Sequence, residues 1–391
     1  MTQPHIMVLG LRGFPAIQGG VETHCEHLFP LVAEAGVRVT IIGRSPYLGP
    51  DHVSPWKGVY FARIWAPKSK KLEALVHTFL GVLYAAVKRP DILHIQTIGP
   101  ALMTPLARLL GLKVVVTHHG PDYDRQKWGG FAKFVLRKGE AAGMIFAHRR
   151  IVISETIRSL VRSKFGRDSL LIRNGVNLPT LPDSIAALEK FALTPRRYIL
   201  LVSRLVPEKR HLDLIEAFTR AQLPGWKLVL VGGSDHPDAY SRQLEKKAAE
   251  SKNVVMTGVQ TGLALAELYA HAGIFALPSS HEGLPIVLLE ALSYGLSVVA
   301  SDIPANLEVS LPPDHYFHLS DIADLAAALA RFAPQSLTPE TSQTIQRWVV
   351  ARYNWRQIAE QTLAVYRNLL DETQPLSLSD PNTGTDAYPG L

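Results

Sequence analysis

Two carboxylates, Glu282 and Glu290, stand eight residues apart in the segment SSHEGLPIVLLEA, residues 279–291. The segment follows the apolar run IFALP directly. Glu282 therefore lies in a loop at a strand end, and Glu290 lies on a helical pattern about five residues past Pro285, roughly 7–8 Å along a helix axis. Carboxylates at that separation can bracket a polyol through its hydroxyls. Gly283 permits an unusual backbone angle at the turn, Pro285 suits the first turn of a helix, and the amides exposed there attract anions. The competing structural reading makes Glu282 a partner of the helix dipole and Glu290 an idle helix residue, although its neighbours Leu288, Leu289, Ala291 and Leu292 are all apolar. A second pair, Arg204 and Lys209, occupies SRLVPEKR directly after the run YILLV. Arginine offers a bidentate fork and lysine a point charge to phosphate oxygens. A third segment, GLRGFPAIQGGVET at 10–23, places Gly19 and Gly20 between a strand and a helix, an arrangement that can cradle phosphate. It is neither Gly-x-Gly-x-x-Gly nor a Walker loop. A fourth, THHGPDYDRQKW at 117–128, puts His118 and His119 at the end of the run KVVVT, where an imidazole can hydrogen-bond a hydroxyl or move a proton.

These residues need a scaffold that brings strand ends together. Short Val/Ile/Leu-rich runs at 5–11, 37–42, 92–95, 113–117 and 150–153 alternate with helical patterns such as 21–35. The style repeats at 198–202, 227–231, 254–257, 274–277 and 297–300, with helical patterns at 210–220 and 239–250. Runs without clean alternation suit parallel strands covered on both faces. Two rounds of this order predict two doubly wound α/β domains, whose ligands bind at the carboxyl ends of the strands. The segment IRNGVNLPTLP, 172–182, reads as the join, and 342–370 reads as helical.

The composition agrees. A chain of 391 residues with 47% hydrophobic content is globular and long enough for two domains. Its one cysteine, Cys25, excludes an internal disulfide and any multi-cysteine cluster. The start, MTQPHIMVLG, lacks the features of a secretory signal, and the apolar stretch 75–87 is too short to span a bilayer, so a cytoplasmic location is expected. Residues 1–175 hold 24 basic and 11 acidic side chains, a net of +13; the remainder holds 17 and 23, a net of −6. One half thus faces an anionic partner or carries uneven surface charge.

The segment HEGLPIVLLEA resembles the Glu-x₇-Glu signature of family 4 glycosyltransferases, which are retaining enzymes of the GT-B fold. SRLVPEKR is similar to that family's Arg-x₄-Lys segment, with Ser203 and Arg210 in place of two usual glycines. The glycine loop and the Thr-x-His-Gly segment also match, the latter through His119. The resemblance covers most of residues 5–370. The form LRGFPAxxGGxET is closest to a bacterial polysaccharide subgroup labelled rhamnosyltransferase-like. It implies two Rossmann-like domains with an interdomain cleft: 1–175 on the acceptor side, 176–350 binding the nucleotide-sugar, a helix at 351–371 packing back on the first domain, and a disordered tail at 372–391. It also implies that Glu282 holds sugar hydroxyls, that Glu290 holds the ribose, and that Gly283, Leu284 and Pro285 contact sugar and phosphate. Arg204 and Lys209 neutralise the diphosphate, Gly19 and Gly20 approach it, and His119 lies near the transferred sugar. Arg12 is a further anion contact. Asp122-Tyr123-Asp124 spells the metal motif of a different glycosyltransferase fold, and His24-Cys25-Glu26-His27 lacks a third ligand, so no metal or other cofactor is expected.

The implied activity is transfer of a sugar from a nucleotide-diphosphate donor to a glycan acceptor, with retention, in bacterial surface polysaccharide synthesis. Basic clusters at Lys68/Lys70/Lys71, Lys88/Arg89, Arg137/Lys138 and Arg149/Arg150 lie beside apolar residues 72–87 and Phe131, Phe134 and Val135. They suit an anionic bilayer, so a polyprenyl-diphosphate-linked acceptor and a peripheral position on the inner membrane face are expected. No nucleic-acid motif accompanies the charge. The rivals are an NAD-dependent oxidoreductase, weakened by the missing fingerprint, a sugar-nucleotide epimerase of the same architecture, and a two-lobed binding protein.

Overall fold

The computed structural model describes residues 3–67, 72–124, 129–234, 238–335, 337–371 and 388. The chain forms two compact units. One runs up to Gly175 and resumes at Asn354 through the last helix; the other is Val176–Tyr353, with Tyr388. The expected tail disorder at 372–391 lies outside the described residues except at Tyr388, whose buried ring packs against His315 and Trp348 at centroid distances of 5.3 and 5.1 Å.

The first unit holds β1 (His5–Leu9), β2 (Arg38–Arg44), β3 (Val59–Ile64), β4 (Ile92–Gln96), β5 (Val114–His118), β6 (Arg149–Val152) and β7 (Leu170–Leu171). Their order is β3-β2-β1-β4-β5-β6-β7, with every neighbouring pair parallel. The central β4 and β5 are buried along their whole length, which is why Ile92, Leu93, Ile95 and Val114–Val116 are apolar, while the buried polar His94 and Thr117 pair with each other at 2.7 Å. The helix Gly20–Glu34 lays Cys25, Leu28, Phe29 and Val32 into the core beside Ile6 and Val8. The helix Trp355–Leu370 adds Trp355, Leu363 and Tyr366 to the same core. Each fully buried side chain of this kind contributes about 1.5–3 kcal/mol. Lys113 and Arg149 tie the end of that helix, donating to the Leu369 carbonyl and the Asn368 side chain, both at 3.0 Å.

The second unit holds β8 (Tyr198–Val202), β9 (Lys227–Val231), β10 (Val254–Gly258), β11 (Ile274–Leu277), β12 (Ser297–Ser301) and β13 (Tyr316–Phe317), in the order β10-β9-β8-β11-β12-β13. Its pairs are also parallel. The single helical stretch expected over 342–370 is two helices, Pro339–Arg352 and Trp355–Leu370. Asn354 breaks the run, because its side chain accepts from the Arg356 amide at 2.8 Å and caps the second helix.

Each sheet reverses its strand order once, between β1 and β4 and between β8 and β11. Loops leaving the carboxyl ends of strands at such a reversal diverge and leave a crevice. The segments 10–20 and 97–99 leave the first reversal; 203–210 and 278–285 leave the second.

Candidate functional site

In the second unit the reversal puts two motifs side by side. After β8 the chain passes Ser203–Val206, makes a 3-10 turn at Pro207–Lys209 and enters the helix His211–Ala221. After β11 it passes 278–285 and enters the helix Ile286–Ser293, which Pro285 precedes as the cap residue. Ser280 stitches the loops together: its amide donates to the Glu208 carbonyl at 2.8 Å, and its hydroxyl donates to the same oxygen at 3.3 Å. Beside this stitch the Lys209 ammonium donates to Glu282 Oε1 in an ion pair whose side chains are only 14% and 12% exposed. Leu284 and Pro285 are buried beneath the turn, and Gly283 is half-buried.

The two departures from the glycine pattern have local functions. Ser203 Oγ and His211 Nε2 lie 2.9 Å apart, and Tyr240 accepts from the His211 amide at 3.0 Å, closing the turn on itself. Arg210 stands at φ 51°, the left-handed region that favours glycine, and its Nε donates to Asp213 at 2.6 Å.

Glu290 lies further along the same helix and is half-buried. Its Oε2 accepts from the Tyr269 hydroxyl at 3.0 Å. Burial pushes its carboxyl up to about 7, and the Tyr269 bond works in the opposite direction by favouring the charged form. Spacing along the chain had no means of finding Tyr269, which comes from the helix Gly262–Ala270.

In the first unit, Gly10 leaves β1 at φ 110°, and a β-carbon there would lie 2.2 Å from the Gln96 carbonyl of β4. The loop then closes on itself. Arg12 Nε donates to Glu22 Oε1 at 3.0 Å, its amide reaches the same oxygen at 3.2 Å, and its Nη2 donates to the Gln18 carbonyl. Burial would raise the Glu22 carboxyl, but the Arg12 charge and hydrogen bonds hold it below its ordinary value. Arg12, expected as an anion contact, braces the loop through these bonds. A β-carbon on Gly19 would meet Glu22 Oε2 at 2.1 Å, whereas one on Gly20 would meet nothing within 4 Å. Gly19 answers to the brace, and Gly20 opens the start of the helix Gly20–Glu34.

His119 follows β5, and its Nε2 lies 2.7 Å from Gln96 Oε1. Its ring meets His24 edge-on at 4.9 Å. Burial, with the nearby His24, His118 and His94, lowers its pKa well below the ordinary histidine value, so the imidazole is neutral at physiological pH. His118 points the other way: it is fully buried, with Nε2 3.0 Å from Glu140, whose other oxygen takes Lys164. Tyr123, the middle residue of the Asp-x-Asp sequence, donates to Glu140 at 3.2 Å. His24, the first residue of the metal-like cluster, pairs with Asn174 at 3.0 Å. Among the described residues no group of three or more His, Cys, Asp or Glu could hold a metal ion.

The helix Glu73–Lys88 exposes Leu75, Phe79, Leu83 and Val87, a stripe at steps of four ending beside exposed Lys88 and Arg89. The helix Gly130–Phe146 exposes Phe131, Phe134, Arg137 and Lys138. Lys68, Lys70 and Lys71 lie outside the described residues. Arg149 and Arg150 are half-buried and turned to local partners: Arg150 donates to the Met144, Ile145 and Ala147 carbonyls. Among the described residues no helix is long and apolar enough to cross a membrane.

Two family models match the chain: a glycosyl transferase 4-like domain over residues 19–175, and glycosyl transferases group 1 over residues 187–347. The chain is 23% identical over 306 residues to the amylovoran biosynthesis glycosyltransferase AmsD of Erwinia amylovora, covering 76% of this chain and 81% of that one. It is 32% identical over 224 residues to a GDP-mannose-dependent alpha-(1-6)-phosphatidylinositol monomannoside mannosyltransferase of Mycobacterium tuberculosis, covering 52% of this chain and about half, 55%, of that one. The fold matches sucrose-phosphate synthase from Thermosynechococcus elongatus with a TM-score of 0.81 at 23% identity, over 95% of this chain and 100% of that one.

Proposed function

The chain belongs to the GT-B glycosyltransferases that join a 4-like domain to a group 1 domain, and on that premise we propose that it moves a sugar from a nucleotide-diphosphate donor to a glycan. The observation that carries this reading is the contact between Lys209 and Glu282. In a nucleotide-sugar one bridging oxygen joins the sugar ring to the diphosphate. An ammonium for phosphate and a carboxylate for sugar hydroxyls must then lie side by side, as these two do. Arg204 shares the diphosphate with Lys209, Glu290 takes the ribose, and Gly283, Leu284 and Pro285 line the sugar and phosphate. Within the first unit by itself, Gly19 and Gly20 offer backbone amides to an anion, and His119 offers a hydrogen bond to a hydroxyl.

Transfer breaks the bond between the anomeric carbon and the phosphate oxygen and forms the bond to the acceptor oxygen on the same face. The acceptor's proton passes to the leaving phosphate. Arg204 and Lys209 stabilise the charge that develops there, so no metal is needed. The mannosyltransferase relative is named for a GDP-sugar and a lipid acceptor, which supports a lipid-linked glycan here. The apolar stripe of Glu73–Lys88, together with Phe131 and Phe134 and their basic neighbours, fits the surface of an anionic bilayer, where each cation contributes about 1 kcal/mol.

The test is calorimetry with UDP, GDP, ADP, dTDP and NADH, followed by turnover of UDP-glucose, GDP-mannose and dTDP-rhamnose in EDTA, with the product anomer read by NMR. Binding of one nucleotide diphosphate, lost in Arg204→Ala and Lys209→Ala, and a retained anomer are expected. NADH binding, or epimerised donor without transfer, overturns the reading. Wild-type protein should sediment with anionic vesicles at low salt, and a Phe131→Ser/Phe134→Ser/Lys88→Glu variant should not. Equal sedimentation of the two removes the membrane assignment.

A further inference from the structure

The Glu290 carboxylate is held by a residue from another helix. Tyr269 is 2% exposed, and its ring is clamped, stacked on Tyr294 at 5.1 Å and 9° and on Phe275 at 5.9 Å and 25°. A phenol fixed in this way cannot swing. Its hydroxyl donates to Glu290 Oε2 at 3.0 Å whenever the carboxylate is ionised. One oxygen is therefore occupied and the other, Oε1, makes no hydrogen bond among the described residues.

We propose that Tyr269 is a positioning residue for nucleotide binding, fixing the Glu290 carboxylate so that Oε1 faces the hydroxyls of a ribose. This rests on the reading of Glu290 given above. A free glutamate on a helix would lose rotamer freedom on meeting a ligand; one already tied does not. The same bond bears on protonation. The titratable groups facing the carboxylate are Tyr269 from its own helix and Tyr294, the cap residue that ends the helix carrying Glu290; Phe275 of β11 is apolar. Without the Tyr269 donor the carboxyl, already raised by burial, rises further, and a protonated acid presents a poorer acceptor to the ribose.

The experiment compares wild type, Tyr269→Phe and Glu290→Ala by calorimetry between pH 6 and 9. It uses whichever of UDP, GDP and ADP the wild type binds, and the corresponding 2′-deoxynucleotide. Tyr269→Phe should weaken ribonucleotide binding roughly fivefold to tenfold at pH 7, recover part of that loss by pH 9, and lose less with the 2′-deoxy analogue. A loss equal for both sugars and constant with pH makes Tyr269 merely structural and overturns the proposal. Wild-type affinity in Glu290→Ala overturns the Glu290 reading itself. Loss in Glu290→Ala with a wild-type pH profile in Tyr269→Phe overturns only the Tyr269 assignment. Should Tyr269→Phe fail to fold, Tyr269→Leu, which likewise carries no donor, supplies the comparison. In either variant, NMR of 13C-labelled glutamate follows Glu290 without ligand: a midpoint above the wild-type value is expected, and an unchanged one rejects the proposal.

Discussion

The two units treat their charged residues differently. In Val176–Tyr353, Lys209 and Glu282 join one candidate motif to the other at the strand ends, and Glu290 keeps one oxygen clear of hydrogen bonds among the described residues. In the first unit the conspicuous groups are turned to local structure. Arg12 closes on Glu22 and Gln18, His118 on Glu140, and His24 on Asn174. A charge in a loop at a strand end is therefore weak evidence of ligand contact until its partner is known. A pair joining two loops can be parted by a ligand that offers better partners. A pair within one loop is what gives that loop its shape.

The sharpest way to break this contrast is to delete one member on each side. Glu140→Ala strips His118, Tyr123 and Lys164 of a shared partner in a buried setting, which should cost about 3 kcal/mol, an effect read by urea unfolding. Burial works to raise the Glu140 carboxyl, but its bonds to His118 and Lys164 hold it below its ordinary value. Its contribution is then present above the ordinary carboxylate range and lost as pH falls, so the variant should also flatten the acid limb of stability. Lys209→Ala should weigh on binding instead. It strips one carboxylate, Glu282, of its partner where Glu140→Ala strips three groups, so it should cost less stability than Glu140→Ala, yet weaken nucleotide-diphosphate binding by roughly two orders of magnitude through loss of a charge-assisted contact. Similar stability losses in both variants would erase the distinction.

A smaller effect concerns Glu290. Its carboxyl is raised to about 7, so its ionisation destabilises the fold. Stability is fully present below the ordinary carboxylate range and declines as pH rises through about 7. Melting temperature should fall between pH 5.5 and 8 in wild type, and Glu290→Gln should remove part of that slope. An unchanged slope means the carboxyl titrates where an exposed one does.

What could be read beforehand follows the same physics. Central strands such as β5, β8 and β11 are covered on both faces, so their residues form apolar runs that stand out. β3 was not foreseen. Among the described strands it pairs with β2 alone, at the sheet edge, and it leaves Tyr60 and Arg63 in solvent, so its sequence has no such run. The two-residue strands β7 and β13 are too short to leave a pattern. In the candidate site, the spacing of Arg204 to Lys209 and of Glu282 to Glu290 was visible because each pair belongs to one segment. Tyr269, Gln96 and Glu22 were not visible, because their relevance depends on tertiary contact with Glu290, His119 and Arg12. The helix break at Asn354 was legible in principle from an N-cap residue before Trp355, but apolar periodicity on both sides masked it.

The adjacent glycines sharpen the comparison within the first unit. Gly19→Ala forces a methyl against Glu22 and should cost about 1–3 kcal/mol while opening the brace. Gly20→Ala enters open space, and alanine favours the helix by up to about 1 kcal/mol, so the fold should hold or gain. Any fall in transfer by Gly20→Ala then reports on a ligand at the helix start. Full activity with full stability would remove Gly20 from the site.

The smallest expected effect tests whether the second unit also spends a charge on structure. Arg210 sits at φ 51° and ψ 40° as the cap residue of the helix His211–Ala221, a conformation that costs a non-glycine residue roughly 1–2 kcal/mol. It also places a cation at the positive end of a helix, unfavourable by a few tenths of a kcal/mol. Against this stands its pair with Asp213, three residues on and partly exposed, worth about 0.3–0.5 kcal/mol. Strain exceeds the pair, and the extra freedom of glycine in the unfolded chain returns about 0.5–1 kcal/mol of the difference. Arg210→Gly should therefore leave unfolding within roughly 0.5 kcal/mol of wild type, on the stabilising side. Nucleotide-diphosphate affinity should stay within about twofold, because the phosphate charges are assigned to Arg204 and Lys209. A destabilisation beyond 1 kcal/mol would show that the Asp213 pair sets the loop as the Arg12 pair sets the glycine loop. A tenfold loss of affinity at unchanged stability would instead add Arg210 to the phosphate contacts and enlarge the contrast between the units.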